Sequence, residues 1–440
     1  MDIRIFVPAL VFAAGVYFLI RFKFFIKPHS GIKRRHSFSL RGGFASLMLA
    51  LSGTLGVGNI FGVATAIIIG GAGSVLWLLF SAIFAAVIKY AEVSLTVSHT
   101  SGDGMISVIR KSFPLGGRVL SYIYAALTLA LAVVMGFALQ GGSVCSTAEL
   151  AFGIPPVISS LLLAAIVGYI ASGKGKKIKA FTSFILPLTT IIYIIMTLYI
   201  IFVNFSRVGD VLKLIATDAF SVDSTVGGLA GFLLSKKVRE GFCGGILSNE
   251  AGAGTSSLAH TSGGNIGAVG GAVEVLFDTV VLCMLTAFAI LLSVPELYAY
   301  TSGAELILAA VYSTLGGAGI GALLFTALSF AVCTIVCWYY YGSVCYRTIF
   351  GKEPGRGFIA LAAFSVVFGA GVSTDALAVA SHYLLLFLSV ISLLTLIKNS
   401  GRIVSTTLPK SENIKASESS RVSRRQVRKA PYKEKQPRLR

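Results

Sequence analysis

Charge is what this 440-residue chain has least of: Asp, Glu, Lys and Arg make up 12% of it, against about 25% in soluble domains. With 55% hydrophobic residues and a mean hydropathy of +0.84, a soluble globular domain is excluded and a polytopic membrane protein is expected. The six cysteines, Cys145, Cys243, Cys283, Cys333, Cys337 and Cys345, form no C-x-x-C pair and mostly sit in apolar runs, which argues against disulfides and a metal site. No Gly-x-x-x-x-Gly-Lys-Ser/Thr phosphate loop is present, so ATP is not the energy source. The apolar runs also lack a nucleophile with a nearby base or a metal-ligand cluster, which argues against a membrane enzyme. Acidic residues are scarce too, 18 against 37 Lys and Arg, and the net charge of +19 has to be located before it is interpreted.

What is present is a series of apolar runs. At about 20 residues per crossing they give about eleven spans, roughly 4 to 22, 44 to 70, 73 to 97, 118 to 143, 155 to 173, 178 to 204, 228 to 261, 267 to 293, 319 to 345, 357 to 372 and 376 to 397. The first has no strongly basic region before it and no small-residue cleavage site after it, so it reads as a retained span rather than a signal peptide. Basic residues follow it at Arg21, Lys23, Lys27, Lys33, Arg34, Arg35 and Arg41, which puts that loop in the cytoplasm and the N-terminus outside. Alternation then makes the loops at Arg110-Lys111, Lys174 to Lys177 and Arg347 to Arg356 cytoplasmic, and all are basic, as is the segment after Lys398. The protein is thus expected in the cell membrane with its C-terminus inside, and the positive charge speaks for loop topology, not for nucleic acid. Lys236, Lys237 and Arg239 break the pattern; a short surface helix leading into the seventh span would account for them. Residues 399–440 carry few branched or aromatic apolar groups and are expected to be a disordered basic tail, either solvated or touching anionic lipid.

One of these runs is interrupted. Ser52-Gly53-Thr54-Leu55-Gly56-Val57-Gly58-Asn59 places three glycines and an amide inside the run from about 44 to 70, where glycine weakens a helix. An open backbone survives at membrane depth only if its polar groups are buried in protein or face a water-filled cavity. A second interruption, Gly244-Gly245-Ile246-Leu247-Ser248-Asn249-Glu250-Ala251-Gly252-Ala253-Gly254, is the most polar glycine-rich stretch within the apolar runs. Setting the first span aside, residues 44–226 and 227–398 form two sets of five, and each set begins with an interrupted span. Matched breaks of this kind mark the binding site of transporters built from two inverted repeats. The plainer reading, that the glycines only let helices pack closely, does not explain Asn59, Ser248, Asn249 and Glu250. Half-helix N-termini suit a carboxylate and unwound carbonyls suit a small cation, so an amino acid with Na⁺ meets both needs.

These stretches resemble the signatures of the alanine or glycine:cation symporter family, within the leucine-transporter type of five-plus-five inverted repeat. The similar motifs are Gly56-Val57-Gly58-Asn59 with Gly62 to Ile67, Leu247 to Gly254 with Ala259-His260, Gly153-Ile154-Pro155-Pro156, Phe277-Asp278-Thr279 and Thr334 to Gly342, covering about residues 15 to 397. The resemblance implies an all-helical fold of about ten core helices with discontinuous first and sixth, plus one N-terminal span, acting as a monomer. It further implies a substrate site of Thr54, Gly56, Gly58, Asn59, Gln140, Gly245, Leu247, Ser248, Asn249 and Trp338, with the Trp338 ring walling a pocket for a small side chain. For Na⁺ it implies the carbonyls of Ser52 and Leu55 and the hydroxyl of Thr334, oxygen donors that suit a hard cation. Three positions depart from the family pattern: Val57 for threonine, Gly142 for asparagine, which enlarges the pocket, and Cys333 for serine beside Thr334.

Buried charges call for a function by default. Lys89 and Glu92, at i and i+3, read as a structural ion pair; Glu250 reads as a brace for the open segment or a coupling group. Glu274 and Asp278 share a helix face, with Asp278 a gate or a packing residue, and His260 reads as a helix-end hydrogen-bonding group. The function expected is Na⁺-coupled inward symport of alanine or glycine by rocking of one helical bundle against another, with no cofactor. Two rivals stay open: the same fold with altered substrate or with proton-linked or exchange transport, and a non-transporting amino-acid sensor. Because a thiol is a poor Na⁺ ligand, Cys333→Ser should tighten the Na⁺ dependence of uptake; an unchanged apparent Na⁺ affinity would speak against a cation at this position.

Overall fold

The computed structural model describes residues 6–22, 40–97, 103–221, 236–260 and 264–407, and every regular element among them is helical. Apolar side chains cover these helices, and in lipid a helix is the element that satisfies its own N–H and C=O groups. Helix α1 (Phe6–Phe22) stands before the two sets of five. The first set holds α2 (Leu40–Thr54) and α3 (Phe61–Gly70), then α4 (Ser74–Val97) and the short α5 (Met105–Ser112). It continues with α6 (Gly117–Leu131), which runs through a π-helical segment (Ala132–Leu139) into α7 (Gln140–Phe152), then α8 (Pro156–Ala171) and α9 (Lys174–Val203). Helix α10 (Val208–Ala219) joins the sets.

The second set begins with α11 (Lys236–Asn249) and the single turn α12 (Ser257–His260). Next come α13 (Gly264–Val275), a second π-helical segment (Leu276–Cys283), α14 (Met284–Ser293), α15 (Gly303–Phe350), α16 (Arg356–Ala370) and α17 (Thr374–Lys398). Among the described residues six helices are long and apolar enough to cross a membrane and five shorter ones are apolar, two of them α2 and α3, the halves of one interrupted span. In α15 the backbone leaves the helical region at Gly316 (φ 60°), so the expected span from about 319 begins just past a kink. Helix α18 (Ser400–Thr407) extends order into the expected tail: Ile403 is buried, and the Tyr17 hydroxyl donates to Ser400 Oγ at 2.9 Å. The rest of that tail lies outside the described residues.

Several local features follow from sequence. Gly153 caps α7 in the left-handed region (φ 65°), its N–H donating to Glu149 O at 2.8 Å, and Pro156 opens α8 where a helix has no use for its missing N–H. Gly168 to Lys174 have the glycine and lysine spacing of a phosphate loop without its Ser or Thr, and they form the end of α8 and the start of α9. Lys237 bridges to Asp218 at 2.8 Å and contacts Ser221, while Asp218 accepts the Gly73 N–H at 2.7 Å. Lys237 thereby anchors α11 to α10 and to the α3–α4 junction, and Arg239 pairs with Glu240 at 2.9 Å, so the basic residues that broke the loop pattern lie in the first turn of α11 itself and not on a separate surface helix.

Gly142 corrects an expectation. A Cβ there would stand 2.4 Å from the Gly369 carbonyl oxygen, and one at Gly369 would stand 2.0 Å from Ala138 O. The position sets the close approach of α7 and α16, and does not widen a pocket. Gly142→Ala should therefore lower the melting temperature, by about 1–3 kcal/mol of strain. Gly209→Ala, where a Cβ meets nothing within 4 Å, should not; equal melting temperatures for the two variants would contradict this packing role.

Candidate functional site

The first break is a redirection of hydrogen bonds. In a continuing helix the Gly56 N–H would donate to Ser52 O and the Val57 N–H to Gly53 O. Here Gly56 N–H donates to Asn59 Oδ1 at 3.1 Å and Val57 N–H to Gln140 Oε1 at 3.1 Å. Asn59 N–H and Ile60 N–H then close tighter 3₁₀ bonds onto Gly56 O and Val57 O. The carbonyls of Ser52, Gly53 and Leu55 thereby lose their helical donors. Leu55 O is met by the Thr334 hydroxyl of α15 at 3.2 Å, while the Ser52 hydroxyl turns back onto Leu49 O at 2.7 Å. Gly56 must be glycine for this: a Cβ would lie 2.7 Å from Gln140 Oε1 and 2.9 Å from Thr334 Oγ1. Two of the three expected Na⁺ ligands, Leu55 O and Thr334 Oγ1, are thus in contact. Ser52 O lies one helical turn before Leu55, and the three expected donors are oxygens, which suit Na⁺; the Cys337 thiol stands beside this stretch and donates to Leu49 O at 3.0 Å. Cys333 is fully buried in the apolar cluster that also holds Leu51, Leu55 and Val57.

The second break follows α11. Glu250 has a left-handed backbone (φ 53°), and so do Gly252 (φ 92°) and Gly254 (φ 80°). The Ala251 N–H donates to Asn249 Oδ1 at 3.0 Å, and the Gly254 N–H to Glu92 Oε1 at 3.0 Å. Tyr124 on α6 donates to Ala253 O at 2.6 Å. Glu250 braces the open segment from within, accepting the Thr255 hydroxyl at 2.7 Å.

One carboxylate joins the two breaks. Asp278 Oδ1 accepts Asn59 Nδ2 at 2.6 Å; its Oδ2 accepts the hydroxyls of Ser248 and of Thr279, each at 3.0 Å. Thr286, one turn past the π-helical segment, donates to Asn59 O at 2.8 Å and is paired with the Tyr193 hydroxyl at 2.6 Å. The sequence left Asp278 open between gate and packing; Thr286 drew no attention, and its only signal is a lone hydroxyl in an apolar run. Asp278 and Glu274 make separate sets of hydrogen bonds. Glu274 instead takes Lys89 at 3.3 Å, Ser256 at 2.9 Å and His260 at 3.3 Å. The expected Lys89–Glu92 pair is accordingly corrected: Lys89 reaches across to Ser256 and Glu274, while Glu92 serves the backbone of the second break.

A cavity of about 410 Å³ lies between the breaks. Of the expected substrate residues it is lined by Thr54, Gly56, Gly58, Gln140 and Ser248, along with Val57, Phe61 and Glu250. Gly58 is open to it, since a Cβ there meets nothing within 4 Å. Asn59, Gly245, Asn249 and Trp338 are not lining residues. Asn59 and Asn249 shape the breaks; Gly245 lets α11 approach α4, a Cβ there falling 2.1 Å from Ser81 Oγ. Trp338 is fully buried against Gly136, on the π-helical segment whose Met135 and Leu139 face the cavity. Leu247 lies in the last turn of α11.

Known proteins agree with this architecture. A crystal structure of MhsT in complex with L-phenylalanine matches with a TM-score of 0.59 at 15% identity, over 81% of this chain and 89% of that one, which establishes the fold. The putative sodium/proton-dependent alanine carrier protein YrbD of Bacillus subtilis is 33% identical over 320 residues, 68% of this chain and 65% of that protein. The sodium/alanine symporter AgcS of Methanococcus maripaludis is 29% identical over 330 residues, 71% of this chain and 72% of its own length. The profile of the sodium:alanine symporter family matches residues 3–422. With a family match over nearly its whole length, the chain belongs to the sodium:alanine symporter family, and it is a cation-coupled amino-acid transporter of the membrane rather than an enzyme.

Proposed function

We propose that this protein carries a small neutral amino acid, alanine or glycine, into the cell together with Na⁺. The observation that carries the reading is the pair of breaks facing one cavity, with Leu55 O and Thr334 Oγ1 3.2 Å apart in the first break. Na⁺ binds where Ser52 O, Leu55 O and Thr334 Oγ1 converge, drawing on carbonyls whose helical donors are spent elsewhere. The substrate carboxylate lies against the first break at Gly58, where the backbone is open to the cavity, and its ammonium group against the side-chain oxygens of Gln140 and Ser248, which need no net charge to orient a zwitterion. Val57 and Phe61 leave room for a small apolar side chain only. The chain works as a monomer in the cell membrane, with the N-terminus outside.

In that orientation Ala66, Ile69 and Glu240, which line the cavity, lie toward the outside, and Tyr124 on Ala253 O closes the inner side. Inward opening then requires that bond to break as the bundle of α2, α3, α4 and α11 to α14 rocks. A second reading, proton-linked transport, is favoured by Glu250, a carboxylate on the cavity wall, and by the name of the Bacillus relative.

Labelled alanine uptake into proteoliposomes separates these. Uptake should rise several-fold under an inward Na⁺ gradient and be unaffected by a proton gradient; uptake independent of Na⁺ would overturn the proposal. Gln140→Leu should reduce uptake at least about tenfold, since it removes both a substrate contact and the acceptor of the buried Val57 N–H, a loss of about 1–3 kcal/mol. Normal uptake by this variant would remove Gln140 from the site.

A further inference from the structure

Outside the transport site, a groove of about 620 Å³ lies between the end of α8 and the start of α9. Its walls are Ala165, Ile166, Tyr169, Ile170, Ala180 and Phe181, and among the described residues the charged group on them is Lys177. Tyr169 is 72% exposed and Ile166 42%, so the groove opens on the lipid-facing side of two membrane helices. Lys177 lies across its polar end: Nζ donates to Tyr169 O at 2.9 Å and stands 3.3 Å from the centre of the Tyr169 ring. One backbone acceptor uses one of the three ammonium donors, which leaves two for a ligand.

The charge around this end is unbalanced. Lys174, Lys176, Lys177 and Lys179 fall within six positions, and no Asp or Glu occurs in the sequence between Glu149 and Asp210. Lys176 is exposed, and Lys179 leans on the Tyr340 ring of α15 at 5.6 Å. An apolar slot at membrane depth with an uncompensated basic rim is complementary to one kind of molecule, a chain of hydrocarbon ending in a negative charge. These lysines belong to the loops that face the cytoplasm by the positive-inside rule, where the leaflet carries anionic lipid.

We propose that the α8–α9 groove is a binding site for an anionic phospholipid of the cytoplasmic leaflet. Its phosphate rests on Lys176 and Lys177, and one acyl chain lies along Ile166, Ile170 and Phe181. The site does not depend on which amino acid or ion is carried, because none of its residues lines the transport cavity.

The test uses the purified full-length protein in detergent, with native mass spectrometry and thermal melting read after adding phosphatidylglycerol, phosphatidylcholine or glycerol phosphate. The wild type should retain phosphatidylglycerol at least about tenfold better than phosphatidylcholine and melt higher with it, and glycerol phosphate alone should shift nothing. Lys176→Gln/Lys177→Gln should abolish the preference for the anionic lipid, at roughly fivefold per lysine. Ala180→Trp, which fills the groove, should reduce retention of phosphatidylglycerol with the lysines intact. Both variants should keep the melting temperature of the lipid-free wild type, which separates a lost site from a lost fold. An undiminished preference in the lysine variant, equal retention of both lipids by the wild type, or an equal shift from glycerol phosphate would overturn the proposal.

Discussion

The Asp278 carboxylate is the contact on which the site depends. Its two oxygens accept from Asn59, in the first break, and from Ser248, in the last turn before the second. A buried carboxylate is costly unless its lone pairs are filled, and Asn59, Ser248 and Thr279 fill them. The geometry of either break therefore fixes the position of the other. With Na⁺ at the site proposed above, Asn59, Asp278 and Ser248 would supply a route of three side chains from the first break to the second.

Around that contact the molecule divides its polar groups by task. Glu92, Asn249 and Glu250 satisfy or brace the open backbone of the second break; Gln140 and Asn59 do so for the first. Lys89, Glu274, Ser256 and His260 form a separate network that staples α4, the end of the second break and α13 together. These elements can then move as one body. Against them stand α6, α7 and α15, whose polar contacts to the breaks include Tyr124 to Ala253 O, Gln140 to Val57 N–H and Thr334 to Leu55 O. A few single hydrogen bonds, each worth about 1 kcal/mol, are the kind of link that a rocking motion can exchange.

Much of this was legible in sequence because glycine and amide residues are out of place in apolar runs. Gly56, Gly58 and Asn59, and likewise Ser248 to Gly254, announce open backbone whatever surrounds them, and both breaks lie where composition put them. Pairings across the bundle were not legible. Lys89 was assigned to Glu92 because i, i+3 spacing is visible along a helix, whereas Glu274, 185 positions away, is reached only through packing. Asp278 meets Asn59 across 219 positions, a pairing that leaves no mark in hydrophobic periodicity either. Gly142 and Trp338 illustrate the same limit. Each was read against a pocket, and each is held by a neighbour, Gly369 and Gly136, that no spacing rule identifies.

The most direct measurement is a double-mutant cycle on Asn59→Ala and Ser248→Ala, read as the change in kcat/KM for Na⁺-driven alanine uptake. These side chains share Asp278 as a common acceptor, so the two losses should be non-additive by about 0.5–3 kcal/mol, and the coupling should vanish when the cycle is repeated with Asp278→Ala. Strictly additive losses, or a coupling that persists without the carboxylate, would contradict the account.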